Sequence, residues 1–255
     1  MLNQTKLSPQ AEEVITNYLN LPFPTQDVRC PYFNNARIGQ RGQLKVLIGK
    51  GTPREILEEA RIIATQYKQD IFAFTDPEQI RKFLIEHCLG IDCSGFITNV
   101  LKEEYAAKGT DLAKRIFITP KTNVLRWLIS RLRPVEQIGV NVYAHDKNTE
   151  IIYNLSEIKA GDLIVMLKTG PNKNHDHILL ITETNGNVIQ YAHARAWSSE
   201  GRYGHGVAAG TITLTEPDKS ILYQTWEEKN KTNEDSETFI EAKQATILQI
   251  KRLKF

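Results

Sequence analysis

The chain has 255 residues, 41% of them hydrophobic, with 32 Lys and Arg against 30 Asp and Glu and a formal net charge of +2. That is length enough for a real core, and the near balance of charge gives no reason to expect nucleic acid as a partner. No apolar run approaches a membrane span of about 20 residues, and Met1-Leu2-Asn3-Gln4-Thr5-Lys6 lacks the apolar centre of a signal peptide. The location expected is therefore cytoplasmic, or reached by an export route that leaves no such signal. Three cysteines, an odd number, argue against a disulfide framework.

Residues 1–90 read as a mainly helical extension, with a short strand near Leu44 to Ile48 and helices near 53–68 and 77–89. Gly49-Lys50-Gly51-Thr52 looks suited to phosphate, but a Walker loop needs Gly-x₄-Gly-Lys-Ser/Thr and here Lys50 is followed by Gly51. The simpler reading makes Thr52 an N-cap with Pro53 at the first helical position. Thr75-Asp76-Pro77-Glu78 starts the next helix in the same way. Gly90 breaks that helix, and Phe96, Ile97, Val100, Leu101 and Tyr105 then recur at helical spacing, so Cys93 falls in the first turn of a new helix.

Unpaired N–H groups and the positive end of the helix dipole favour a thiolate at such a position. Ser94 and Gly95 are small and leave the sulfur accessible; a buried structural thiol is the alternative. Cys30 and Cys88 are expected to be reduced and structural. Val124 to Arg133 is a basic amphipathic helix, suited to a core or to a membrane or acidic partner, within an insertion around 110–150. From Ile151 the chain turns β-rich, with strands expected at 151–155, 162–168, 177–183, 187–193, 206–215 and 243–251. The polar run from Glu227 to Glu237, extended to 240, reads as an exposed excursion. Helices first and an antiparallel sheet afterwards make an α+β protein.

Asp92-Cys93-Ser94-Gly95-Phe96, a Gly161-Asp162-Leu163-Ile164 strand, His177 followed by Ile178-Leu179-Leu180-Ile181, and Ile189-Gln190-Tyr191-Ala192-His193 occur in this order. Over roughly residues 88–215 the chain thereby resembles the NlpC/P60 family of papain-like cysteine peptidases and amidases. The resemblance implies a papain-like fold for 91–255, with the cysteine helix packed on an antiparallel sheet and 1–90 as an extension that shapes or occludes the cleft. It implies Cys93 as nucleophile, His177 as general base and His193 as the group that orients the imidazole. The backbone N–H of Cys93 would stabilise the oxyanion. The family's upstream tyrosine is missing from its usual place; Tyr32, in Pro31-Tyr32-Phe33 with Gly39 following, is the nearest candidate. The substrate implied is an amide in a cell-wall stem peptide or a related peptidoglycan fragment, with no cofactor.

Alternatives accompany each assignment. His175 competes with His177 for the base, and two apart on a strand they share a face. Asp176 points the other way and is expected in solvent. Gln190 is the fallback orienter, and Ser94 is a further oxyanion candidate. His175, His177 and His193 could instead form a three-histidine zinc site, with His87 and Cys93 as another possible ligand pair. An acyl-transfer or deamidase enzyme acting on protein or lipid, and an inactive peptide-binding module, are the other functional readings.

Overall fold

The computed structural model describes residues 2–24, 27–34, 45–119 and 134–255. The expected basic helix over 124–133 and Gly39 lie outside the described residues.

The helix starts obey local chemistry. At α1 (Pro9–Leu19) the Ser8 side chain accepts from Ala11 N–H. At α2 (Pro53–Gln66) Thr52 and Glu55 close a capping box, in which two otherwise unpaired donors are satisfied reciprocally. Asp76 caps α3 (Pro77–Glu86) and Asp92 caps α4 (Cys93–Ala107). Shorter turns of helix follow: α5 (Leu112–Arg115), α6 (Pro134–Gln137), α7 (Val140–Ala144) and α8 (Gly201–Gly204), and later the longer α9 (Glu237–Gln244).

The strands, in chain order, are β1 (Leu2–Lys6), β2 (Leu21–Pro22), β3 (Asp27–Val28), β4 (Thr149–Ile152), β5 (Leu163–Thr169), β6 (His175–Gly186), β7 (Val188–Arg195), β8 (Gly206–Thr213), β9 (Thr225–Glu228), β10 (Lys231–Thr232) and β11 (Ile247–Leu253). Strands β2 and β3 pair apart from the rest. The others form one antiparallel sheet in the order β10-β9-β8-β7-β6-β5-β11-β4, and β1 joins β6 beyond the stretch that β5 covers.

Strand alternation divides the core into two layers. Leu163, Val165, Ile178, Leu180, Ala192, Ala194 and Val207 face α1, α2, α3 and α4. Ile164, Met166, Leu179, Ile181, Ile189, Tyr191 and Trp226 face α9. In α4, Phe96, Ile97, Val100 and Leu101 are fully buried, each contributing about 1.5–3 kcal/mol of apolar transfer.

The architecture is α+β, as the order of elements along the chain predicts. Three local expectations are corrected. Lys45–Ile48 is a 3-10 turn rather than a strand, because the chain doubles back there and Lys50 N–H donates to Lys45 C=O. Residues 1–90, expected to be mainly helical with one short strand near Leu44 to Ile48, also supply β1 to the main sheet, and one core cluster runs from Leu7 through Cys93 to Val207. The run from Glu227 to 240 is exposed only in part: Glu227, Lys229, Asn230, Thr232, Glu234 and Asp235 face solvent, but it forms the end of β9, then β10 and the start of α9, with Glu228, Ser236, Thr238 and Phe239 buried.

Candidate active site

Cys93 is the first residue of α4, held there by three neighbouring stretches of chain. Asp92 caps the helix, its Oδ1 accepting from Gly95 N–H at 2.6 Å. Asp92 N–H donates to Gly49 C=O, and Ile91 N–H donates to Pro31 C=O. Tyr32 bridges Ile91 through the backbone. The tyrosine that lies far upstream in sequence is thereby brought beside the cysteine, and the phenol and thiol interact electrostatically. Asn34 Nδ2 donates to Tyr32 Oη at 3.2 Å. Burial first, then the thiol and Asp92, push the Tyr32 phenol well above its ordinary range, so it stays a neutral donor.

Lys50 lies under this turn. Its ammonium, almost wholly buried, donates to Asp92 Oδ1 at 2.9 Å, Ser94 Oγ at 2.6 Å and Ile138 C=O at 3.0 Å. Three donors and three acceptors match, which is what a buried cation requires. The expectation that Gly49-Lys50-Gly51-Thr52 is no phosphate loop fits this arrangement, for the lysine is committed inward. Ser94, an oxyanion candidate in the sequence reading, has its hydroxyl between Lys50 and Asp92. Gly95 serves close approach rather than sulfur access, because a Cβ there would sit 2.4 Å from Gly49 O.

Cys93 as a residue is only 6% exposed. Burial, reinforced by Asp92 and opposed by Lys50, pushes the Cys93 thiol up to about 12. Cys93 N–H has no hydrogen-bond partner among the described residues, leaving an unspent donor at the helix start. A cavity of about 340 Å³ opens alongside, lined by Asn34, Lys50, Asp92, Cys93, Glu136 and Asp176 among others. Asp176, read from sequence as solvated, is exposed and borders this cavity, with its Oδ1 accepting from Lys168 N–H.

The histidines leave the sheet on the other face. His177 lies opposite Met166 in the β5–β6 register and alternates with Ile178, so its side chain is directed away from α4 and toward the α9 layer. No hydrogen bond joins Cys93 to His177 in this structure. His177 Nε2 instead meets His193 Nδ1 at 2.7 Å, and His193 Nε2 meets Glu228 Oε2 at 3.0 Å. Glu228 is buried and also accepts from Tyr191 Oη, Thr238 Oγ1 and Arg195 Nε. Arg195 continues the chain to Glu200, which also pairs with Lys229. Burial opposes ionisation of Glu228, but His193 and Arg195 outweigh it and hold the carboxyl down at about 2. Burial lowers His177 to about 4 against a partial upward pull from Glu241.

The carboxylate at one end orders the protons in both rings. With both imidazoles neutral, the ionised Glu228 accepts from His193 Nε2–H, so His193 Nδ1 carries a lone pair and accepts from His177 Nε2–H. The lone pair of His177 is then on Nδ1. That atom has no hydrogen bond among the described residues, yet Ser236 Oγ is the one buried side-chain polar atom without a partner among them. His177 as a whole is 5% exposed. Glu241 acts electrostatically on Cys93, Tyr32 and His177 alike. Glu241 itself accepts from Thr169 Oγ1 at 2.9 Å, at the end of β5 opposite His175.

A comparison with protein-family models, curated proteins and solved structures finds no match to this chain.

The other sequence candidates separate from this cluster. His175 and Gln190 are exposed, and Gln190 lies on the face away from His193. The three-histidine zinc reading meets an obstacle in His193, both of whose ring nitrogens are hydrogen-bonded within the relay. Among the described residues no group of three or more His, Cys, Asp or Glu side chains is set to hold a metal ion. No helix among them is long and apolar enough to cross a membrane. Sequence reasoning missed Lys50, Arg195, Glu228 and Glu241. One signal was available: in Thr225-Trp226-Glu227-Glu228, strand alternation puts Glu228 on the same inward face as Trp226.

Proposed function

We propose that this chain is a thiol-dependent amide hydrolase of the kind its NlpC/P60-like motifs suggest. One observation carries the reading: a buried Glu228–His193–His177 hydrogen-bond chain, which with neutral rings leaves the lone pair of His177 on Nδ1, at the residue next to Asp176 of the Cys93 cavity. Proton order of this sort is what a general base needs, because a third group fixes which nitrogen is free. In the resting state thiol and imidazole are both neutral. The thiol proton passes to His177 Nδ1 once substrate binding brings the two side chains within reach, a geometry that an unliganded site need not hold. The thiolate attacks the amide carbonyl carbon, and the oxyanion takes the unspent N–H of Cys93 and the Tyr32 phenol. The C–N bond then breaks, His177 gives its proton to the leaving amine, and water releases the acyl group. The substrate class put forward is a peptide amide, with wall-type stem peptides as the first to try.

A second reading, a catalytically inactive peptide-binding module, draws on the buried neutral thiol and the absence of a hydrogen bond from Cys93 to His177. Alkylation at each cysteine, followed by mass spectrometry from pH 5 to 11, separates the two. A hydrolase should display a plateau of Cys93 reactivity near pH 7 that His177→Ala abolishes. A wild-type Cys93 that reacts only as the pH climbs toward 12 overturns the enzyme reading and leaves the binding module.

A further inference from the structure

Beside Tyr32 lies a second cavity of about 230 Å³, lined by Pro31, Tyr32, Asn34, Ile85, Leu89 and Arg202 among others. Asn34 lines both this cavity and the one at Cys93, so the two adjoin across the Tyr32–Asn34 hydrogen bond. Their chemistry differs. The Cys93 cavity is edged by Asp92, Glu136 and Asp176, whereas the second has mostly apolar walls and no carboxylate among the described residues that line it. Among the described residues that line it the guanidinium is that of Arg202, a solvent-exposed residue that makes no hydrogen bond or ion pair among the described residues and only approaches the Tyr203 ring, at 5.8 Å. The nearby arginines are committed elsewhere: Arg81 donates to the carbonyls of Arg29, Tyr203 and His205, Arg29 to those of Gly204 and Val207, and Arg195 to Glu228 and Glu200. The Arg81 and Arg29 bonds also hold the 203–207 segment against residues 29–31, which keeps this wall of the cavity in place.

The geometry points to a carboxylate subsite: the Arg202 cavity takes an apolar residue bearing a free terminal carboxylate. Its volume is below the roughly 300–1,000 Å³ of a pocket for a whole ligand, so it fits one side-chain-sized group of a longer substrate. An unpaired guanidinium at an apolar pocket suits a carboxylate, which it can bind in a two-pronged fashion. The inference deepens the hydrolase reading and rests on it for its role. A free carboxyl terminus lies on the amine side of any peptide bond upstream of it, so this cavity holds the leaving group while Cys93 keeps the acyl part. The preferred substrate is thus a short peptide whose last residue is apolar.

Binding tests this without needing turnover. N-acetyl-alanyl-leucine and its carboxamide are titrated calorimetrically into the Cys93→Ala and the Cys93→Ala/Arg202→Gln proteins. The acid should bind about tenfold more tightly than the amide to the first, and the two should bind alike to the second through a loss confined to the acid. Equal affinities in the Cys93→Ala protein, or no binding of either compound, would overturn the subsite. Alkylation of Cys93 in Arg202→Gln alone, unchanged from wild type, keeps a failure of the subsite distinct from a failure of the thiol chemistry.

Discussion

The two faces of the β6–β7 strand pair solve different problems with neighbouring residues. Toward α4, polar groups are gathered by backbone: Gly49 C=O and Pro31 C=O hold the residues before Cys93, and Lys50 neutralises the cap. Toward α9, side chains are joined end to end, from His177 through His193 and Glu228 to Arg195 and Glu200. One face therefore keeps a neutral thiol and an unspent N–H at a helix start. The other places a fixed negative charge at one end of a relay and a lone pair at the other. Asp176 and His177 are consecutive yet belong to different faces, so a shift of one residue would exchange the groups presented to the thiol.

The largest expected break in this contrast is at Glu228. Glu228→Ala leaves Arg195 buried without its carboxylate and removes the acceptor for His193, Tyr191 and Thr238. Breaking a buried pair in this way costs about 3–5 kcal/mol, to be read from the denaturant midpoint at pH 7. A loss under about 1 kcal/mol would mean that the relay is not held as described.

The next is a pH effect of the α9 face. His177 has its folded-state value lowered to about 4 from an ordinary 6.5. As pH falls below 6.5 the unfolded chain takes up this proton first, so stability present above 6.5 is lost on the way down to 4. The expected loss is up to about 3 kcal/mol. Glu228, held at about 2, adds a separate loss between its ordinary value and 2. His177→Phe should flatten the upper window and leave the lower one. Equal slopes in wild type and variant between pH 6.5 and 4 would refute the assignment.

The smallest effects should come from side chains outside both arrangements. His175→Ala and Gln190→Ala are expected to shift stability by less than about 0.5 kcal/mol, as exposed positions usually do. They should also leave the alkylation profile of Cys93 as it is. A profile altered by His175→Ala would return His175 to the role of base.

Much of the secondary structure was legible because it rests on near neighbours. Thr52 with Pro53 and Glu55, and Asp76 with Pro77, announce α2 and α3 through bonds that span three residues. The sheet strands were expected near their observed places because their apolar runs end at turn residues such as Gly161 and Gly170. What misled was local polarity. Glu227 to Glu237 is rich in charge and was read as solvated, although the Glu228 carboxylate is stable inside only because Arg195 and His193 meet it there. The small residues after Cys93 suggested an accessible sulfur, whereas Gly95 answers to a carbonyl from a loop more than forty residues earlier.

By itself, the sequence determined the helix caps, the position of Cys93 at a helix start, the alternation of the strands and the α+β order of elements. Each depends on hydrogen bonds and side-chain periods within a few residues. Tertiary structure decided that Tyr32 and Lys50 reach Cys93, that β1 enters the main sheet, that Glu228 anchors the histidine relay, and that this relay leaves β6 on the face away from α4. These outcomes depend on which distant segments close against one another, and on whether a buried charge finds its counter-charge when they do. Neither is encoded in spacing along the chain.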